Sequence, residues 1–416
     1  MRGLKWHPLP WIARRANRSR VPPRDRSHLR VRLRRPIRKP ARTRAINAVA
    51  TALCRRVFGE FRAQTPRQSG AATASLMNNL ITRSDRWLNR FIWFTAGATL
   101  FLICSGGMVT SKGVGLAVPD WPSTFGYNMF LFPVSQWVGG IFFEHTHRLI
   151  ASGVGFLTII LAGWLWKVEP RRWVRVLGFA ALGAVILQGV LGGLRVTMLK
   201  DEIGIFHACL AQAFLSLLVL LGVVRSRFWS SPRPQHGHAA SLWLPLLTTV
   251  LIYAQLGLGA TMRHQHRDLA ILDFPAAYGA LLPDVSAGNL AEINRWRDAQ
   301  ALSNVSASHI WLQMAHRFLA LLILAGVLAC WFSVRRAHPT LRYLWVLCVL
   351  SQITLGAWTI WSNKAADVAT AHVAVGAIML ALGVGICALT ARSRAVISRS
   401  AMFSPQPALR EKAYAR

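Results

Sequence analysis

Acidic residues are scarce in this 416-residue chain, with 15 Asp and Glu against 49 Lys and Arg. Charged residues make up 15% of it, where a soluble domain carries about 25%. That deficit excludes an ordinary water-facing surface. Cysteine is also sparse: Cys54, Cys104, Cys209, Cys330, Cys348 and Cys387. None forms a CxxC pair or the CxxCH of covalent haem attachment, and no disulfide framework is expected. The first 85 residues lack the apolar core of a secretory signal.

What is present is apolar. The composition is 53% hydrophobic with 17 Trp, and from about Phe91 apolar stretches near the length that crosses a bilayer recur. The net charge of +34 suggests a nucleic-acid binder, but residues 1–70 hold 20 of the 49 Lys and Arg against only Asp25 and Glu60. Much of the remainder lies in short loops between apolar spans, which is how a membrane protein sets its orientation. Residues 1–85 form an Arg- and Pro-rich leader without apolar period, expected to be disordered and cytoplasmic, or else an over-extended start with Met77 as initiator. Contact with lipid headgroups or nucleic acid is the other use of such a segment.

Eight spans are predicted: 91–110, 144–166, 173–194, 204–224, 242–262, 310–333, 341–361 and 368–391. Arg171, Arg172 and Arg175 follow span 2; Arg225, Arg227 and Arg233 follow span 4; Arg335, Arg336 and Arg342 follow span 6; Arg392 and Arg394 follow span 8. All fall on the leader's side, which is therefore cytoplasmic, with both termini. The opposite side carries two long loops, 111–143 and 263–309.

The second half echoes the first. EHTHRLIASGVGFLTIILAGWLW (144–166) is similar to QMAHRFLALLILAGVLACWF (313–332), and GIFHACLAQAFLSLL (204–218) to VATAHVAVGAIMLAL (368–382). LQGVLGGLRVTM (187–198) is similar to both YAQLGLGATMRH (253–264) and SQITLGAWTIWS (351–362). The expected fold is an all-α membrane protein of eight transmembrane helices in two pseudo-symmetric four-helix bundles, 86–228 and 229–395, with a cytoplasmic tail over 396–416. Four spans return the chain to its starting side, so the repeat is parallel rather than inverted.

Four of the 13 histidines recur at matched positions: His147, His207, His316 and His372. Each lies in the first turns of an even-numbered span, near the outer leaflet. An imidazole in a membrane span is costly unless bonded. Either it joins an interhelical hydrogen bond, or two facing histidines take both axial positions of a haem iron within a four-helix bundle. His147 with His207 would serve one half, and His316 with His372 the other. Zinc or copper would want more ligands per cluster; His145 points to a different helix face.

The halves differ at Glu144, one turn before His147, where the repeat places Gln313. A carboxylate can move a proton and a carboxamide cannot, so the first half is the candidate reacting half, unless Glu144 merely sits at a favourable helix N-terminus. Arg148 and Arg317 follow their histidines, and Arg195, Arg263 and Lys364 lie near the outer ends of spans. These cations are candidates for haem propionates or for headgroups.

GGMVTSKGVGLAVPDWPSTFG (106–126), the ExxHR of Glu144–Arg148, GGLRV with FHACLAQ (192–212), AHRFLA (315–320) and ATAHVAVGA (369–377) together resemble the haem A synthase family, also called cytochrome oxidase assembly protein 15. The likeness covers roughly residues 88–392. It implies an oxidoreductase of the cell inner membrane, acting on a CH or CH2 group, that converts the C8 methyl of haem O to a formyl group for cytochrome oxidase assembly. It implies haem b on His316 and His372, with Arg317 nearby. It implies substrate haem O on His147 and His207, with Arg148 nearby and Glu144 catalytic. Haem O synthase (protohaem farnesyltransferase), an electron acceptor and the lipid bilayer are the implied partners, and no nucleic acid is expected. Many members carry a cysteine pair in the first outer loop; PDWPSTFGYN has none, so loop thiols have no redox role here.

Two alternatives remain at this level. A di-haem b-type electron carrier, such as a quinol oxidoreductase subunit, also needs paired histidines but would stack its haems across the bilayer. A transporter would need the histidine array only if haem were its cargo.

Overall fold

A computed structural model describes residues 71–230, 241–333 and 339–403. The described residues form helices and no named strand: α1 (Ala71–Ser111), α2 (Gly139–Val168), α3 (Arg172–Met198), α4 (Asp201–Val224), α5 (Arg227–Ser230), α6 (Trp243–His264), α7 (Ala287–Ala299), α8 (Ala307–Ser333), α9 (Pro339–Trp361) and α10 (Ala366–Phe403). Eight of these, all but α5 and α7, are long and apolar enough to cross a membrane. The chain is an all-α, multi-pass membrane protein.

Most of the expected leader, with Cys54, lies outside the described residues, as do Arg233, Arg335, Arg336 and residues 404–416. Helix α1 nevertheless starts at Ala71, inside the segment assigned to the leader. The run from Ala71 to Trp87 has no Pro or Gly and is rich in Ala and Leu, which favour helix. At the other end, α10 runs on to Phe403 rather than stopping near 391.

In lipid, helices associate through close packing rather than through exclusion of water, so small residues mark the contacts. The first half closes as α1–α2–α3–α4, with α4 returning to α1; the second closes as α6–α8–α9–α10, with α10 returning to α6. The halves meet where α4 packs on α10, with α1 against α10 and α4 against α6. The pattern of neighbours in one half thus recurs in the other. Leu88, Ile92, Leu161, Leu165, Leu218 and Leu221 fill the first bundle; Ile252, Ile323, Trp345 and Ile386 fill the second.

The two long loops share one end of the bundle. Their turns repeat the same hydrogen bonds. Asp120 accepts from the N–H of Phe125 at 2.8 Å and of Gly126 at 2.9 Å; Asp273 accepts from Tyr278 and Gly279, both at 2.8 Å. Burial pushes the Asp120 carboxyl up, but the N–H groups of Gly126 and Phe125 and the Ser123 hydroxyl outweigh it and hold the carboxyl at about 2. The loops match at an offset of 153 (Asp120 to Asp273), whereas the following helices match at 169 (Glu144 to Gln313). The second loop fits its extra residues as α7, whose Ile293 packs with Ile271, Tyr278, Val305 and Ile310 into a small separate core.

The opposite end is basic and is tied by one carboxylate. Glu169, after α2, is buried. It accepts from the Arg171 Nε at 2.6 Å and NH2 at 3.0 Å, and pairs with Arg225 after α4. Arg171 also donates to the Val224 carbonyl at 3.2 Å. Burial alone would raise the Glu169 carboxyl; the Arg171 hydrogen bonds and charge, then the Arg225 charge, hold it below the usual carboxylate value. A depressed folded-state value adds stability above the unfolded carboxylate's range and loses it on acidification. Glu169→Gln is expected to destabilise the protein by on the order of 3 kcal/mol, by leaving Arg225 without its counter-charge. It should also flatten the stability loss of the wild type below about pH 4.5. Thermal unfolding in detergent across pH checks both; an unchanged profile would remove Glu169 from the account.

Candidate functional site

The four histidines occupy the loop end of the bundle, each against a glycine of a neighbouring helix. A Cβ on Gly106 of α1 would sit 2.9 Å from Cε1 of His147 on α2. A Cβ on Gly192 of α3 would sit 3.4 Å from Cε1 of His207 on α4; the corresponding distances are 3.3 Å for Gly259 of α6 with His316 of α8, and 3.3 Å for Gly356 of α9 with His372 of α10. Every ring therefore presents the same edge to a neighbouring glycine, at a spacing that excludes a Cβ at Gly106 and leaves one little or no slack at the other three. The rings of His147 and His207 lie within Coulombic reach of each other, as do those of His316 and His372. His147 and His207 stand on α2 and α4 of one bundle, and His316 and His372 on α8 and α10 of the other.

Three of the four histidines carry a second support. Gln188, Gln255 and Gln352 donate from Nε2 to the backbone carbonyls of His207, His316 and His372 at 2.9, 2.9 and 2.8 Å. In each case the glutamine precedes the contacting glycine by four residues, so one helical face supplies both. The exception is α1, where Leu102 stands four residues before Gly106. This Gln-x3-Gly signal sits in the three similar segments of α3, α6 and α9, and sequence reasoning did not single it out.

In all four rings Nδ1 is sealed from solvent and has no hydrogen-bond partner. A buried polar atom without a partner is costly, and four at matched positions are a built feature rather than an accident of packing. Among the described residues no cluster of three or more His, Cys, Asp or Glu is arranged to hold a metal ion. His145 is fully buried; its Nδ1 meets the Thr124 hydroxyl at 3.3 Å and its ring packs between Phe132 and Trp137. It therefore braces the first loop.

Glu144 and Gln313 do equivalent structural work. Glu144 Oε2 accepts from the Val118 N–H at 2.9 Å; Gln313 Oε1 accepts from the Ile271 N–H at 2.8 Å, and its Nε2 donates to the Ile271 carbonyl at 3.1 Å. Glu144 Oε1 also pairs with Arg148 at 2.7 Å. Each side chain joins a histidine-bearing helix to the loop above it.

Arg148 and Arg317 were candidates for holding a cofactor, and the geometry engages them elsewhere. Arg148 donates to the carbonyls of Asp120 (2.6 Å), Ser123 (3.2 Å) and Val118 (2.6 Å). Arg317 donates to those of Ala276 (2.8 Å) and Asp273 (2.7 Å) and lies 5.4 Å from the Phe274 ring. Both clamp loops, because their positions one residue after histidine face the chain that folds over the helix end. The other side of each loop reaches across to the third helix of its half. Trp121 lies on Gly193, where an added Cβ would overlap the indole; Phe274 packs on Trp361 at 6.2 Å between centroids. In the first half this makes a strap: α2 holds the loop, and the loop's indole rests on α3 beside the glycine that contacts His207.

A fold of eight spans that brings two pairs of imidazoles to one end defines a polytopic membrane protein built around twin histidine sites. A sequence profile of the family described as cytochrome oxidase assembly protein matches residues 127–384, and the chain belongs to that family, the membrane oxidoreductases of haem A biosynthesis. Similar proteins are each called "Heme A synthase". That of Geobacillus kaustophilus is 27% identical over 67% of this chain and 85% of its own length. That of Lysinibacillus sphaericus is 25% identical over 73% and 97%, and that of a Bacillus cereus strain 25% identical over 77% and 99%.

Gly193→Ala should push Trp121 off α3 and cost about 1–3 kcal/mol. The expected readout is a lower unfolding temperature together with faster proteolysis of the first loop. If neither changes, the indole does not hold the strap.

Proposed function

We propose that this chain is a haem A synthase that oxidises the C8 methyl group of haem O to a formyl group by successive hydroxylations. The observation that carries the proposal is the set of four imidazoles with sealed, unpartnered Nδ1 atoms, each cradled by a glycine of a neighbouring helix. These residues fit a bis-histidine haem: bonding to iron offsets the cost of a buried ring, and the bundle supplies an apolar slot. His147 and His207 hold the substrate haem O. His316 and His372 hold a haem b, which when bound supplies one-electron chemistry. Zinc fits less well, since each pair offers two ligands and structural zinc takes four.

The protein's own part is positioning and proton handling. Gln188, Gln255 and Gln352 hold the backbone at three of the histidines, and Glu144 and Gln313 hold the loops over both sites. Glu144 is the group in the first half able to take a proton where Gln313 cannot. Both its oxygens already accept one bond, and each keeps a second lone pair free. Arg148 and Arg317 act through the loops they clamp. With the basic end cytoplasmic, both termini lie inside, the loop end faces outward from the inner membrane, and haem O arrives through the bilayer from haem O synthase. The electrons pass to an acceptor outside this chain.

A di-haem b-type electron carrier is the second reading. It is favoured by one observation, that Glu144 and Gln313 make the same loop contact.

His316→Ala and His372→Ala are each expected to remove tightly bound haem b with its low-spin spectrum; a normal spectrum in either variant would count against the pair. Glu144→Gln loses the ion pair with Arg148 but should fold, because a carboxamide makes the same loop bond at Gln313 and Arg148 keeps its bonds to the loop carbonyls. It should bind haem O yet form no haem A in extracted pigment. An unchanged haem A yield would remove Glu144 from the chemistry, and a wild-type protein that binds two haems without forming haem A would favour the electron carrier.

A further inference from the structure

The cations at the loop end differ in what they touch. Arg148 and Arg317 grip loop carbonyls. Lys364 pairs with Asp268 at 2.5 Å. Arg263 donates from α6 to the Gly107 carbonyl of α1 at 2.6 Å and to the Ser111 hydroxyl. The side chain of Arg195 of α3 makes no hydrogen bond or ion pair among the described residues, although it is only partly exposed.

Its position is specific. Arg195 follows Gly192, the glycine against His207, by three residues, so it shares that face one turn nearer the loop end. Its charge is within Coulombic reach of His147 and of His207. The acidic groups within reach are Glu144, already paired with Arg148, and Asp201 at the start of α4. Gly115 of the first loop lies over the guanidinium, and a Cβ there would sit 3.0 Å from NH2. The loop thus comes close over the guanidinium, and a side chain at Gly115 would have to displace it. The second half has no unengaged counterpart at the matched position, and Arg263, the cation near His372, is bonded to α1. Matching Gly192 with Gly356 places Thr359 at the equivalent position, and its hydroxyl bonds the Leu355 carbonyl of its own helix at 2.8 Å.

A half-buried guanidinium without protein acceptors has donors to spare, and its planar fork matches a carboxylate. We propose that Arg195 binds a propionate carboxylate of the porphyrin held between His147 and His207. The site is thereby selective for a free-acid porphyrin with its carboxylates toward the loop end. This rests on the haem assignment above. The anchor is particular to the first half, so it distinguishes the substrate position from the resident one.

The test uses the full-length protein in lipid nanodiscs, carrying its resident haem. Protohaem and its dimethyl ester are titrated in parallel and followed by the low-spin Soret band. The wild type is expected to prefer the free acid by about ten- to hundred-fold, the worth of a charge-assisted pair. Arg195→Gln, and Arg195→Thr as a copy of the second half, should abolish the preference with ester affinity unchanged; Arg195→Lys should keep part of it. Retention of the full preference in Gln and Thr variants would overturn the proposal, and so would equal weakening of both ligands, which marks a structural role. A wild type that binds neither ligand would instead overturn the haem assignment itself, and this inference with it.

Discussion

An imidazole inside a membrane bundle needs a partner for its nitrogens, and the architecture follows from that need. To stand beside a helix rather than in lipid, each ring must come within van der Waals distance of a neighbouring backbone. Gly106, Gly192, Gly259 and Gly356 allow that approach. The helix pairs α1–α2, α3–α4, α6–α8 and α9–α10 are thereby brought together at the loop end, and the closed rings of four helices follow.

The loops complete the arrangement. Glu144 and Arg148 flank His147 on α2, and Gln313 and Arg317 flank His316 on α8. Whatever holds the loop therefore holds the ring. In the first half the strap ends on Gly193 through Trp121; in the second it ends on Trp361 through Phe274. The halves share this frame and differ in what they add to it. The first carries a carboxylate at Glu144, a leucine rather than a glutamine behind Gly106, and an unengaged guanidinium at Arg195. The second carries a carboxamide, a full set of glutamine supports and an extra helix in its loop. One site is thus more braced and the other more polar.

Much of this was legible in the sequence, because a membrane imposes simple rules. Span length identified the eight helices long and apolar enough to cross, and the internal repeat matched the four histidines that the structure brings to one end against glycines. Two things were not legible. The role of Arg148 and Arg317 depends on where the loop carbonyls of Asp120 and Asp273 fall, which no local pattern reports; charge beside histidine suggested a ligand, and the geometry makes both clamps. The start of α1 at Ala71 was masked by the basic composition around it, although the local residues favour helix. The Gln-x3-Gly pattern was in plain view in three similar segments, but its meaning appears only when the next helix is seen to place a histidine against it. The Glu144/Gln313 difference was noticed as chemistry; the structure adds that both residues first serve to hold a loop.

The most direct test of the account is the pigment extracted from a host that makes haem O, with and without this protein. Chromatography of acid-acetone extracts should show haem A only when the chain is present, with haem O reduced to match. Unaltered haem O and no haem A, from membranes that contain the folded protein, would contradict it.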